Sequence, residues 1–263
     1  MSGASIVGVG GHDVAIVGVG GHDVAIVGVG GHDVAIVGVG GLGAPAAAAL
    51  AASGANALTL IDDDLVEVSN LPRQPLFDVT DVGTPKVEAA ARRLRALRPG
   101  MRVATIRARV DSGNAARILA GHGVIIDGTD GLPSKSMLND AALTLGIPLV
   151  HAGAVGLDGQ LFTILPGRSA CLRCLFPELP GEDDMPTCQQ SGILGPVVGA
   201  IGFAAAAEAR RILSGEAPEL ANRLAILDGV RVRWRTVAVR PNPRCPACDA
   251  ARTASPPGVR SLA

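Results

Sequence analysis

The chain has 263 residues, 48% of them hydrophobic and 18% charged, which is apolar enough for one large domain or a domain with an appendage and excludes wholesale disorder. Its formal net charge of -1 leaves no global basic field, so nucleic acid is not expected as a partner. The long uncharged stretches 42–61 and 192–207 are rich in Ala and Gly and poor in transfer energy for a membrane span. Met1-Ser2-Gly3-Ala4 lacks the cationic start of a signal peptide, and the expected compartment is the cytoplasm.

Residues 11–40 are three perfect copies of Gly-His-Asp-Val-Ala-Ile-Val-Gly-Val-Gly, preceded by the partial copy Ser5 to Gly10. Each copy offers one apolar strand and one glycine turn. Only the last continues into Gly41-Leu42-Gly43-Ala44-Pro45 and an alanine-rich helix; the earlier ones run into His12-Asp13, His22-Asp23 and His32-Asp33. An Asp at the third glycine position would put a carboxylate and a Cβ where helix and strand pack closely. The working strand is therefore predicted at about 33–38, with residues 1–30 as an extension. Identical strands can compete for one slot in a sheet, and the last copy has the advantage of being covalently next to the helix.

Beyond this unit the pattern alternates. A second apolar run, Ala57 to Ile61, ends at Asp62, and Pro85 to Leu97 has apolar residues spaced for one buried helical face. Strands follow at Arg102 to Ala108, Gly123 to Asp127 and Pro148 to Ala152, separated by helices at Ala115 to Ala120 and Ser134 to Leu145. This predicts a Rossmann-like α/β fold with a mostly parallel, doubly wound sheet. From Leu157 to Leu165 the pattern becomes a turn and a strand, with Gly159 at the expected hairpin. A connection rich in Pro, Gly and acidic residues, Cys171 to Ser191, leads to a helix over Pro196 to Leu213. Two β-like runs, 223–227 and 230–239, extend the sheet with antiparallel strands, and the tail 250–263 is expected to be disordered.

The glycine turn Gly38-Val39-Gly40-Gly41-Leu42-Gly43 offers backbone N–H groups at a helix N-terminus, where partial positive charge meets phosphate. Asp62, 19 residues past Gly43, can accept both ribose hydroxyls at the end of the second strand. Asn70, Arg73 and Lys86 add one amide and two cations to the same crevice. A dinucleotide needs few cations there, whereas a triphosphate of about four negative charges needs several together with a metal. Asp130, three residues past Asp127, is a fitting carboxylate for Mg²⁺.

Of the five cysteines, Cys171-x-x-Cys174 and Cys245-x-x-Cys248 read as one tetrahedral zinc site of four thiolates, a structural zinc knuckle. A redox pair at either end is the alternative, although neither pair opens a helix after a thioredoxin-like strand. Cys188 lies in a polar loop-like segment where a covalent role competes with that of a small buried hydrophobe. The five histidines form no ligand set: three belong to the repeat, His122 lies in a Gly-flanked loop, and His151 at a strand end.

Taken in order, the glycine turn, Asp62-x-Asp64, Ser69-Asn-Leu-Pro-Arg-Gln74, Gly83-x-Pro85-Lys86, Asp127-x-Thr129-Asp130 and the cysteine pattern resemble the ThiF/MoeB/HesA group, bacterial relatives of ubiquitin-activating enzymes, over about 34–249. The resemblance implies ATP-dependent adenylylation of the C-terminal glycine of a ubiquitin-like sulfur carrier with a Gly-Gly tail, serving molybdopterin- or thiamine-type sulfur transfer. It implies that Gly38, Gly40, Gly41, Gly43, Asp62, Asp64, Asn70, Arg73, Gln74, Lys86 and Asp130 hold ATP and Mg²⁺. Arg73, Lys86 and Asp130 would act in catalysis, and Cys188 stands where some members form a thioester or persulfide. It further implies a homodimer and a separate sulfur donor, with 31–249 as the adenylyltransferase domain.

The chain departs from that pattern in three places. The repeat stands where members carry an N-terminal arginine that reaches into the partner's site, Gly131 stands where Asn is usual, and Lys135 where Arg is frequent. Two other functions compete: a carrier-binding module that no longer turns over ATP, and an NAD-dependent Rossmann dehydrogenase, for which the sequence offers no convincing catalytic His or Lys.

Overall fold

The computed structural model describes residues 5–9, 12–19, 22–26, 33–177 and 192–248. Three repeat strands, β1 (Ser5–Val9), β2 (His12–Val19) and β3 (His22–Ile26), pair antiparallel in a sheet of their own. The last copy supplies β4 (Val34–Val37) to the interior of an eight-stranded sheet, between two parallel neighbours. Cys188 and the tail 250–263 lie outside the described residues.

The large sheet continues with β5 (Ala57–Ile61), β6 (Arg102–Ile106), β7 (Val124–Asp127), β8 (Leu149–Val155), β9 (Asp158–Ile164), β10 (Arg223–Asp228) and β11 (Arg233–Ala238). Their spatial order is β11-β10-β9-β8-β7-β4-β5-β6. Strands β6, β5, β4, β7 and β8 run parallel, and β9, β10 and β11 add antiparallel pairs. Every residue of β4, β5 and β7 is buried, as expected of parallel strands covered on both faces, whose sequences read as continuous apolar runs.

Helices α1 (Gly43–Ala52) and α2 (Lys86–Leu97) pack on one face together with α6 (Gly195–Leu213), around Leu50, Leu94 and Ile201. Short α3 (Ala115–Leu119) and α4 (Leu132–Leu145) cover the other face, around Ile118, Leu138 and Phe162, and α5 (Leu172–Leu175) carries the first cysteine pair. Helix α4 has Pro133 in its first turn and ends on Gly146 at φ 70°, a conformation that glycine adopts without a Cβ penalty. Buried Glu208 of α6 accepts the Thr163 hydroxyl at 2.7 Å and the backbone N–H groups of Glu219 and Leu220 at 3.0 Å each, which ties the helix to β9 and to the approach to β10.

One local expectation is corrected. Gly159 does not make the hairpin turn: it pairs within β9 opposite Ala154, and Gly156 with φ 59° lies between the strands. A Cβ on Gly159 would come within 2.5 Å of Ile201, so its glycine character serves the close approach of α6 to the sheet. The chain reverses its winding at β4, which lies between β5 and β7. Such a switch point opens a crevice at the carboxyl ends of the strands.

Candidate active site

The floor of that crevice is the turn between β4 and α1. Gly38 has φ +85°, and a Cβ there would fall 2.8 Å from the backbone of Gly128. A Cβ on Gly43 would fall 1.9 Å from the Gly38 carbonyl oxygen. The first residue permits the turn and the second lets α1 start directly against the strand, which leaves the helix N-terminus facing the crevice.

Asp62, at the end of β5, closes this turn: its Oδ2 accepts the Val39 N–H at 2.6 Å and its Oδ1 the Asp64 N–H at 2.9 Å. Burial raises its pKa, opposed by the charge of Lys86 and by the two backbone N–H groups. Its oxygens thus hold the glycine turn and retain lone pairs toward the crevice.

The cleft has a volume of about 530 Å³. Gly38, Gly40, Gly41, Asp62, Asp64, Asn70, Arg73, Gln74, Lys86 and Asp130 all line it, so residues 92 positions apart in sequence meet on one surface. Gly43 lies beneath it as a packing residue, buried against Gly38 and Ile36. Asn70 and Arg73 sit on a 3-10 helix over Val68–Arg73. The Arg73 guanidinium donates to the Ser69 carbonyl and the Asn70 side-chain oxygen, each at 3.0 Å. Lys86 is the first residue of α2; it is 5% exposed and donates to Asp64 Oδ2 at 2.6 Å. A lysine buried to that extent needs a counter-charge. The exposed Asp64 supplies one that an anionic ligand can displace.

Gln74 is 3% exposed, and its Nε2 donates to Asn70 Oδ1 at 3.4 Å while its Oε1 has no partner among the described residues. An orphan acceptor on a cleft wall points to a ligand with a hydrogen to donate. The sequence reading missed Arg109, Thr129 and Lys135 as cleft residues. Arg109 and Thr129 lie three and two residues past the ends of β6 and β7, and a position just past the carboxyl end of a parallel strand is the signal that could have found them.

Asp127 lies below the cleft wall and is fully buried. It accepts from Thr129 Oγ1 at 2.6 Å and Thr129 N at 3.1 Å, from Lys135 Nζ at 3.3 Å, and from His151 Nδ1 at 2.9 Å. Burial alone would raise its pKa, but the Lys135 charge and the His151 and Thr129 bonds bring it down to about 2. Burial drives the His151 pKa down, so the ring stays neutral in the fold with its proton on Nδ1 toward Asp127. His151, expected at a strand end and in no ligand set, is thus interior to β8 and part of a buried polar network.

Away from this cleft, the two cysteine pairs come together. Their Sγ atoms lie 4.0 Å apart for Cys171 and Cys174, 3.7 Å for Cys171 and Cys245, and 3.5 Å for Cys174 and Cys248. Four thiolates at tetrahedral angles around zinc, with Zn–S of about 2.3 Å, stand roughly 3.8 Å apart, so the set fits one zinc ion. Burial pushes the Cys171 thiol up to about 12 and the Cys248 thiol up as well. Cys245 is brought down to about 7, where N–H groups of Cys248 and Ala247 outweigh burial.

The sequence profile of the ThiF family matches residues 23–247. The chain is 44% identical over 207 residues to the SAMP-activating enzyme E1 of Haloferax volcanii, covering 79% of this chain and 76% of that one. It is 40% identical over 212 residues to the sulfur carrier protein adenylyltransferase of Thermus thermophilus, with 79% and 78% covered. Against the sulfur carrier protein ThiS adenylyltransferase of Escherichia coli the identity is 39% over 209 residues, with 79% and 82% covered. The solved structure of E. coli MccB with ATP superposes with a TM-score of 0.74 at 22% identity, over 83% of this chain and 67% of that one, a likeness of fold. With a family profile matching residues 23–247 and relatives 39–44% identical over most of both chains, the chain belongs to the ThiF family.

Proposed function

We propose that this protein adenylylates the C-terminal glycine of a ubiquitin-like sulfur-carrier protein, using ATP and Mg²⁺. The observation that carries this reading is the convergence of Asn70, Arg73, Lys86 and Asp130 on one cleft with the N-terminus of α1. The attacking group, a carboxylate, is ionised at neutral pH and needs no general base. What limits its approach is repulsion between anions. A carboxylate oxygen of the carrier attacks the α-phosphorus, the bond from that phosphorus to the bridging oxygen breaks, and pyrophosphate leaves with the electron pair.

Arg73 and Lys86 neutralise the phosphates, with Lys86 exchanging Asp64 for the ligand. Asp62 takes the ribose, Gln74 offers its orphan acceptor, and Gly38, Gly40 and Gly41 let the backbone come close. Asp130 would hold magnesium, which would supply further neutralisation at the phosphates. Arg109 adds a second cleft arginine in a chain with no arginine before Arg73.

The four cysteines are assigned to structural zinc, because the thiol spacing and complete ligand set leave no position for substrate. The working domain is 31–249, with 1–30 as an extension. No helix among the described residues is long and apolar enough to cross a membrane. A homodimer, a separate sulfur donor and a covalent role for Cys188 complete the reading.

The test is pyrophosphate exchange with a carrier ending in Gly-Gly, ATP and Mg²⁺. Labelled pyrophosphate is expected to enter ATP, and Lys86→Ala to abolish it. ATP binding without exchange on any such carrier would favour the binding-module reading, and tight NAD binding the dehydrogenase.

A further inference from the structure

Lys135 is placed where elementary electrostatics disfavours it. It lies in the first turn of α4, at the positive end of the helix dipole, and it is 6% exposed. Its ammonium donates to the Ala152 carbonyl at 2.6 Å and reaches both Asp127 oxygens at 3.3 and 3.4 Å. One cation therefore joins the start of α4, the end of β7 and the middle of β8, while its side chain also lines the cleft.

The Asp127 carboxylate also accepts both the N–H and the hydroxyl of Thr129. That grip lies one residue before Asp130, in a segment whose Gly128 N–H is held by the Val37 carbonyl at 2.8 Å. On the far side, His151 donates to Asp127 and faces the Gln160 amide at 3.4 Å. Partners from β4, α4 and β8 thus anchor the segment leaving β7 through Asp127, Gly128 and Thr129.

We infer that Lys135 is a positioning residue: through Asp127 and Thr129 it fixes the Gly128-Thr129-Asp130 segment, so that the Asp130 carboxylate meets the metal–nucleotide complex without reorganising. Residues that orient a metal's ligand contribute about 10- to 100-fold to metal affinity. Lys135 acts on Asp130 in this way, through its bonds to Asp127 and to the Ala152 carbonyl.

This inference rests on the assignment of Asp130 to magnesium, and the experiment separates the two. The affinity for α,β-methylene-ATP is measured by calorimetry with saturating Mg²⁺ and with EDTA, for the full chain and for Lys135→Met, Lys135→Arg, Thr129→Val and Asp130→Asn. In Lys135→Met the gain in affinity conferred by Mg²⁺ is expected to fall about tenfold, with the affinity in EDTA within about twofold of the parent. Lys135→Arg restores the gain, and Thr129→Val, which keeps the buried cation, shows the same loss should Lys135→Met fail to fold. If Asp130→Asn keeps the full Mg²⁺ gain, the assignment of Asp130 is wrong. If Asp130→Asn loses it while Lys135→Met and Thr129→Val keep it, the inference on Lys135 is overturned, as it is if Lys135→Met weakens binding equally with and without metal.

Discussion

The buried Asp127 network gives the protein a defined acid sensitivity. Asp127 has its pKa lowered from 3.8 to about 2 by Lys135, His151 and Thr129, against the effect of burial. A group whose folded pKa is depressed stabilises the fold above its unfolded pKa and loses that contribution as pH falls through its folded pKa. The shift corresponds to about 2 kcal/mol, lost between 3.8 and about 2. The histidines act earlier. His122 and His151 are buried with pKa values lowered from 6.5, so the unfolded chain takes up protons that the folded chain refuses, and stability falls as pH drops below 6.5.

Urea unfolding midpoints are followed from neutral pH down to about pH 2 for the parent and for Asp127→Asn, which isolates the carboxylate from other acids. At neutral pH the variant is expected to be less stable by about 3–5 kcal/mol, since it leaves Lys135 buried without its counter-charge. That gap should hold down to pH 3.8 and then narrow by about 2 kcal/mol. A gap that stays constant across this window would refute the argument, and so would parent stability that is flat from neutrality to mildly acid pH.

Gly43→Ala puts a methyl 1.9 Å from the Gly38 oxygen; relieving it moves the turn that carries the helix N-terminus, at a cost of about 3 kcal/mol or more, read by thermal unfolding together with loss of nucleotide affinity. Removal of zinc by a strong chelator, or Cys245→Ser, is expected to lower the melting temperature and to release one metal equivalent in a zinc-indicator titration, with ATP binding to the parent cleft changed less than its stability. Absence of bound metal after expression with zinc would count against the thiolate site.

Much of this molecule was legible in its sequence because the information is local. The central strands carry apolar runs bounded by glycine or acidic residues, and β4, β5 and β7 appear within a residue or two of their predicted limits. The glycine turn, Asp62, the segment around Asn70 and Arg73, and Lys86 are motif residues whose spacing reflects the βαβ unit itself. Gly159 misled because a glycine between strand-like runs usually signals a turn, whereas here it answers to Ile201 on a distant helix. His151, Lys135 and Arg109 were misjudged or missed for the same reason: each owes its role to partners set beside it by other elements.

The sequence by itself determined the family, the alternation of strands and helices, and the kinds of residue offered to a triphosphate, since backbone propensity and motif spacing act over short stretches. Only the tertiary structure decided that the earlier repeat copies pair in a sheet of their own and that Asp64 and Lys86 form an ion pair at the cleft. It alone brought four cysteines to zinc spacing although Cys174 and Cys245 are 71 positions apart, and made Asp127, Lys135 and His151 one network. Those outcomes depend on distance and burial between elements far apart in the chain, where a charge or a thiol takes its meaning from what packs against it.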